Sequence, residues 1–558
     1  MILKNSRLQE LIMMASALFL LLLFVFLPSF YLFTFIVSRW DQVYLEVFTH
    51  PILGDTYWRE IQRYLALSLR LALFTVFIDL ILGVPLAYLL AKKEFPGRSL
   101  IEDLTMLPLV IPTSGFGFAT MIAWTANYGI PALLGLRIGL DTVLPLVKLP
   151  LLMLLVHIAL TFPYIVKTVS GALKDLKASY EVISSSLGAH PLTTFRKITL
   201  PLILPSILSG CVLALARSLG ETGATMIVAG VSTTAPIAIV RWEFENKIAP
   251  AAFLGALLVM LSLIIIIPTE LFFTRGTTRR RLLSRGIEVR LVKLERHLPH
   301  FLAKMKDASS LLFLVVIVLM PIGILIYNSI LYWSTDPYTN KVEGGILYQL
   351  FGPPNYWGAI SKALQISFIA SSLSTILSTY ISILALFLIV KHKLGRLIRI
   401  LLKIPLVIPT SALGLSMILL WGSKGLGLIS PGIWLIVLTH IVFSVPVIVE
   451  TSSASYIEAG LPTYEESART LGATFYDVVE TVTLPMIKRG ILAGALLAFT
   501  HSLGETGATF IVMGDHTTIS TLIVNMVESL AIPAAIFSSL ILILISIVML
   551  FIIRKLTE

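Results

Sequence analysis

The chain has 558 residues, of which 57% are hydrophobic and only 13% charged, with a mean hydropathy of +0.92. Soluble domains carry about 25% charged residues, so this composition excludes a soluble globular protein. Cys211 is the only cysteine, which excludes an intramolecular disulfide and leaves the redox compartment open.

Apolar stretches of about 20 residues cross a hydrocarbon core of about 30 Å, and such stretches recur along the whole chain. In order, spans are predicted near 11–37, 64–90, 103–124, 143–169, 203–230 and 251–273, then near 310–331, 364–390, 401–420, 430–450, 490–514 and 535–554. The reading is an all-α membrane protein of about twelve helices. The first run is too long for a signal-peptide core and has no small-residue cleavage site, so it reads as a retained span. Thirty of the 42 Lys and Arg fall in segments on the N-terminal side and ten on the other. This bias places both termini in the cytoplasm and accounts for the +11 charge without a nucleic-acid partner. The basic rim favours anionic lipid head groups.

The two sets of spans are copies. Gly188 and Gly472, Pro201 and Pro485, Glu221 and Glu505, and Thr225 and Thr509 are each 284 residues apart. LPLVIPT at 107–113 matches IPLVIPT at 404–410, His157 and Pro163 match His440 and Pro446, and Trp58 and Ser68 match Trp357 and Ser367. The changing offset puts about 14 extra residues in the first copy's outer loop, 125–150. An even number of spans per copy gives both halves the same topology, a parallel repeat. The domains are therefore 1–274 and 310–558, joined by a basic linker, 275–309, expected to be a solvated tether resting on acidic lipid.

Each half has a long inward loop, 170–201 and 454–485. Each loop opens on an acidic amphipathic stretch led by Glu181 or by Glu465 and Glu466. Gly188 or Gly472 suits a helix end with positive φ, and Pro201 or Pro485 suits the first turn of the next helix. The product is a short helix lying across the cytoplasmic face, able to pass rigid-body motion to a partner beneath it.

SLGETGAT stands at 218–225 and again at 502–509, each inside an otherwise apolar run. A carboxylate there is costly unless paired, protonated or facing water, which makes it a functional candidate. Arg217 precedes Glu221 by one turn, and His501 holds that place before Glu505. Two readings stand. Arg217, Glu221, Thr222, Thr225, His501, Glu505, Thr506 and Thr509 line a solute pathway, or they clamp helices together. Bare carboxylates would suit a cation and repel an anion. His157 and His440 read as satisfied packing residues, and no Cys, His or carboxylate cluster has metal-site spacing. The Trp- and Tyr-rich outer segments 38–63 and 332–363 read as interfacial anchors. No G-x-x-x-x-G-K-[ST] phosphate loop occurs, so ATP hydrolysis, if used, belongs to another chain.

The loops carry a resemblance. Glu466-Ser467-Ala468, Gly472, nine residues, then Val482-Thr483-Leu484-Pro485 is similar to the E-A-A-x3-G-x9-I-x-L-P loop of type I ABC importer permeases. The first copy gives Gly188, nine residues, then Ile198-Thr199-Leu200-Pro201, with Val182 in place of the motif's Glu and Glu181 one position earlier. The resemblance implies a fused permease in a prokaryotic cell membrane whose two loops dock on two ABC ATPase subunits, with an extracytoplasmic binding protein delivering cargo. ATP with Mg is then bound by the partners, and this chain holds no cofactor. ARSLGETGAT resembles permeases for molybdate, tungstate, sulfate and phosphate, and fused permeases also resemble ferric-iron and thiamine importers. The rival from another class is a twelve-span secondary transporter, which has no reason to duplicate a docking loop. A membrane scaffold or sensor is third.

Overall fold

A computed structural model describes residues 2–49, 54–272, 290–292, 295, 300–392 and 394–557. The first half consists of α1 (Leu11–Ser38), α2 (Gly54–Lys92), α3 (Arg98–Val110), α4 (Thr113–Thr125), α5 (Leu151–Asp175), α6 (Ser179–Ser186), α7 (Pro191–Gly220), α8 (Gly223–Val228), α9 (Ala235–Phe244) and α10 (Ile248–Phe272). The second half comprises α11 (Lys304–Leu331), α12 (Tyr356–Lys391), α13 (Gly395–Lys403), α14 (Thr410–Leu420), α15 (Ile433–Glu458), α16 (Leu461–Thr470), α17 (Phe475–Gly504), α18 (Gly507–Val512), α19 (Ile519–Glu528) and α20 (Ile532–Thr557). The protein is an all-α, multi-pass membrane protein built from two like halves.

About twelve spans are expected from hydropathy, and the structure bends or breaks several of them. Among the described residues, ten helices of 21 to 37 residues are long and apolar enough to cross a membrane, or eleven spans if α3 and α4 count as one. Those two helices meet at 108°. Pro112 starves the chain of a donor and pushes Ile111 into extended geometry (φ −70°, ψ 133°), so the segment predicted as 103–124 is bent in its middle. Pro409, itself extended (φ −53°, ψ 131°), precedes α14 at the matching place in the second half. The segments predicted as 203–230 and 490–514 break at Glu221 and Glu505, which are extended with ψ 126° and 129°.

In each half the second, fifth and seventh helices pack as a triad: α2, α5 and α7, then α12, α15 and α17. The halves also exchange their first helices. α1 lies on α12, α14 and α15 of the second half, while α11 lies on α2 and α4 of the first. Apolar burial is consequently continuous across both halves. The extra residues of the first outer loop include a two-residue antiparallel ladder, Val143–Leu144 against Leu149–Pro150. Most of the 275–309 linker lies outside the described residues, but Glu295 does not fit a freely solvated tether. It is buried and accepts hydrogen bonds from Thr193 and, at 2.8 Å, from Arg196 Nε on α7.

Candidate functional site

The two SLGETGAT segments meet near the middle of the molecule. α7 ends at Gly220, Glu221 is extended, Thr222 turns (φ −120°, ψ −55°), and α8 begins at Gly223. The second copy repeats this within a few degrees, with Thr506 at φ −119° and ψ −51°. Such a break exposes backbone amides in a region without water. The glutamates answer that need: Glu221 Oε1 accepts the Ala224 N–H at 2.9 Å, and Glu505 Oε1 accepts the Ala508 N–H at 3.2 Å. A carboxylate at a helix start is favoured by both the free amides and the peptide dipoles.

The breaks interlock across the two halves. A Cβ on Gly223 would lie 2.6 Å from Thr506 Cβ, and one on Gly507 would lie 2.7 Å from Thr222 Cβ. Gly220 lies against Pro409 and Gly504 against Pro112, so each broken helix also touches the other half's bend. Gly223, Gly504 and Gly507 are required by approach distance, since real Cβ atoms do not come that close.

Beside the interlock lies a cavity of about 1180 Å³ lined by both halves, running from Thr222 and Gly223 to Lys177 and Tyr180 on the face that carries α6. Arg217, Glu221, Thr222, His501 and Glu505 line it. Thr225, Thr506 and Thr509, also expected on a pathway wall, do not. Thr506 is wedged against Gly223, and Thr225 and Thr509 are fully buried on histidine partners. Their hydroxyls leave the cavity because the helix break turns them toward α5 and α15.

Within the wall the charges are divided by exposure. The Glu221 and Glu505 side chains are 3% and 7% exposed, those of Arg217 and His501 22% and 38%. Arg217 Nη2 lies 2.7 Å from Glu221 Oε2, whereas His501 Nε2 is 3.9 Å from Glu505 Oε2. The carboxylates are thus turned into the breaks, and their basic partners face the cavity. Clamp and lining are combined in one motif.

His157 and His440, read from the sequence as packing residues, have both ring nitrogens engaged. His157 Nδ1 is 2.7 Å from Ser218 Oγ and Nε2 is 3.0 Å from Thr225 Oγ1. His440 meets Ser502 and Thr509 at 2.6 and 3.0 Å. Each histidine stands at matching places in the two copies, and the two hydroxyls it holds open and close the motif. Those were the signals available in the sequence.

On the loop face, α6 and α16 end at Gly188 and Gly472 with φ +77° and +92°. Gly188 and Ala189 donate back to Ser185 and Ser184, as Gly472 and Ala473 do to Arg469 and Ala468, closing both helices in the same way. Glu465 is buried, pairs with Lys391, and accepts from Thr483 Oγ1 at 2.7 Å and Tyr456 Oη at 3.0 Å. Burial alone would raise the Glu465 carboxyl, but the Lys391 ammonium and the Thr483 hydroxyl outweigh it and hold the group below the ordinary glutamate range. Glu181 repeats the arrangement with Lys92 and Thr199, each at 3.2 Å. The acid held in common by the two copies is therefore the inward Glu181 and Glu465, while Glu466 and its counterpart Val182 face outward. Thr199 and Thr483, and the lysines that end α2 and α12, were missed by motif reading. Ile198, Leu200, Val482 and Leu484 are half-buried around them.

Pro201 and Pro485 do not start new helices. α7 and α17 run through them, each with a π-turn just before, Phe195–Thr199 and Val479–Thr483. A wider turn tolerates the missing proline donor that a regular α-turn would not. Tyr180, Leu187, Tyr464 and Leu471 are exposed on the two short helices.

Residues 80–275 and 378–557 each match the family described as binding-protein-dependent transport system inner membrane component. The chain belongs to this family, twice over. Relatives of this family align with about one half of it. It is 36% identical over 212 residues to the molybdenum transport system permease protein ModB of Mycobacterium tuberculosis, covering 37% of this chain and 77% of the relative. It is 31% identical over 209 residues to a probable sulfate transport system permease protein cysT of Helicosporidium sp. subsp. Simulium jonesii (38% and 73%). It is 30% identical over 213 residues to the molybdate/tungstate transport system permease protein WtpB of Pyrococcus furiosus (38% and 78%). Family members are membrane components of transport systems.

Proposed function

We propose that this chain supplies both halves of the solute path of an ATP-driven importer for an inorganic oxyanion: molybdate, tungstate, sulfate or phosphate. The observation that carries this reading is the division of charge at the two breaks. Arg217 and His501 face the cavity, while Glu221 and Glu505 are 3% and 7% exposed and occupied as caps. An oxyanion beside the breaks meets a guanidinium able to present two parallel donors, while the two carboxylates at that level are engaged as caps; Asp175 and Glu450, farther along the wall, share it with Lys167, Lys177 and Lys403. Ferric iron and thiamine, both cationic, would need the reverse. The names of the relatives, which refer to molybdenum, sulfate and molybdate/tungstate, point the same way.

In this reading the loops 170–201 and 454–485 face the cytoplasm, together with both termini. Two ATPase subunits, each binding ATP with Mg, seat on α6 and α16, and a binding protein delivers cargo at the opposite face. The chain itself binds no cofactor. The cavity opens toward α6, so the conformation is inward-facing, and the interlock of Thr222, Gly223, Thr506 and Gly507 closes the outer end. ATP binding switches it only as far as the ATPases favour one arrangement of the loops over the other.

Proteoliposomes containing the chain, its ATPase and its binding protein should accumulate at least one of the four labelled oxyanions when ATP is supplied. Accumulation by the chain alone under a proton or sodium gradient would overturn the proposal in favour of an ion-coupled transporter.

A further inference from the structure

We infer that His157 and His440 are positioning residues that brace the two helix breaks and so hold Arg217 and His501 in the cavity wall; this rests on the transport reading above. Each imidazole comes from a neighbouring helix, α5 or α15, and reaches both sides of a break. Ser218 lies on α7 before the break and Thr225 on α8 after it. The ring joins them through Nδ1 at 2.7 Å and Nε2 at 3.0 Å.

Proton counting orients the chain of bonds. Thr225 Oγ1 donates its single proton to the main-chain oxygen of Glu221 at 3.3 Å. It must then accept from His157, so Nε2 carries the hydrogen and Nδ1 accepts from Ser218. The result is a directed line from Ser218 through the imidazole and Thr225 to the carbonyl of Glu221, the residue at the break. In the second half His440 bridges Ser502 and Thr509 in the same places, Thr509 donates to the Glu505 oxygen at 3.0 Å, and Ser502 Oγ also meets the Ser371 and Ser374 hydroxyls, each at 3.1 Å. Both rings are buried, 2% and 1% exposed, where an unmet polar atom is expensive.

Histidine is suited to this place. A neutral imidazole carries one donor and one acceptor on opposite edges of a rigid ring. Asn and Gln carry both at one end, and Leu carries neither. Without the ring, Ser218 would turn back to a carbonyl of its own helix and Thr225 would keep only its bond to the Glu221 carbonyl, and the angle between α7 and α8 would no longer be set. Arg217 lies one residue before Ser218, and Glu221 is the anchor at the other end, so loss of the angle moves the pair that faces the cargo. The same brace occurs in both halves, with Arg217 in one and His501 in the other, so its geometry is independent of which side chain it serves.

The test uses the complete transporter in proteoliposomes. His157→Leu, His440→Leu and the double variant keep apolar volume and remove both bonds. Oxyanion taken up per ATP hydrolysed should fall about tenfold in each single variant, the scale of one or two lost buried hydrogen bonds, and KM for the oxyanion should rise. Assembly with the ATPase should be retained. His157→Leu combined with Ser218→Ala and Thr225→Val removes the polar side chains of the line together, so it should fold even where the single variant does not, and it should still show the coupling defect. The effects of His157→Leu and of Ser218→Ala/Thr225→Val should fail to add, because they break the same line. Wild-type uptake per ATP in the triple variant would overturn the inference. So would additive effects. If the unmodified transporter moves none of the four oxyanions, the cargo assignment fails instead, and the brace is then read from ATP hydrolysis stimulated by the loaded binding protein.

Discussion

Gly223 of the first half and Thr506 of the second stand so close that a methyl group on the glycine would lie 2.6 Å from Thr506 Cβ. The reciprocal pair is Gly507 and Thr222, at 2.7 Å. The two halves therefore close on each other through glycine, with no side chain between the backbones. Gly223→Ala should destabilise the protein by about 1–3 kcal/mol, the usual cost of overpacking, and reduce transport. Adding Thr506→Gly should recover part of both losses. Thermal melts in detergent and uptake assays measure this directly, and an undiminished melting temperature in Gly223→Ala would show that the halves part easily.

The two glutamates midway along α16 should behave differently. Glu465 is held inside by Lys391, Thr483 and Tyr456, whereas Glu466 is exposed. Glu465→Gln should cost about 1–3 kcal/mol of stability, the penalty for weakening a buried charged hydrogen bond. Glu466→Gln should leave stability unchanged and weaken ATPase association. Because the Glu465 carboxyl is held below its ordinary value of 4.5, its contribution is fully present above that pH. It is lost as pH falls through the lower folded value. The stability gap between wild type and Glu465→Gln should therefore close on acidification below about pH 4.5, as followed by denaturation at stepped pH.

Gly472 has φ +92° and nothing within 4 Å of where a side chain would project. Gly472→Ala should thus act through the backbone alone, costing about 1 kcal/mol. The melting temperature should shift little, while the turn after α16 is re-aimed and uptake per ATP falls. Gly188, at φ +77° and equally open, should give the matching result in the first loop. Loss of stability without loss of coupling would mean that the turn does not guide a partner.

Arg217 pairs with Glu221 at 2.7 Å yet remains on the cavity wall. Arg217→Gln should raise KM for the oxyanion about tenfold, a lost charge-assisted pair. Arg217→Lys should fall between, since a point charge replaces a planar fork. Glu221→Gln keeps an oxygen to accept the Ala224 N–H and frees Arg217, so KM should drop while release slows. Uptake kinetics over a range of oxyanion concentrations distinguish these outcomes.

Much of the architecture was legible in linear form. Spans follow from apolar length, and the duplication follows from landmarks such as Gly188 and Gly472. The breaks were not, because Glu221 and Pro112 lie in runs whose average hydropathy still reads as continuous helix. Asp79 shows the same limit. Hidden in the apolar run of α2, it is fully buried and accepts from Thr161 Oγ1 at 2.6 Å. Motif reading alone does not tell which of the two loop acids is buried, for a related reason. Glu466 fits the motif, but burial depends on which face of α16 meets Lys391, and that face belongs to Glu465.

Composition, span length and the ungapped repeat were enough to establish a two-fold membrane protein with paired loops on one face, because hydrophobic length and chain periodicity are local properties of the sequence. Which side chains face the cavity was decided only by tertiary packing. Arg217 and Glu221 are one helical turn apart in sequence, yet the break between α7 and α8 turns the carboxylate inward onto Ala224 and leaves the guanidinium on the wall. That outcome depends on glycines meeting the opposite half and on a histidine from a third helix, contacts between residues that no sequence window contains together.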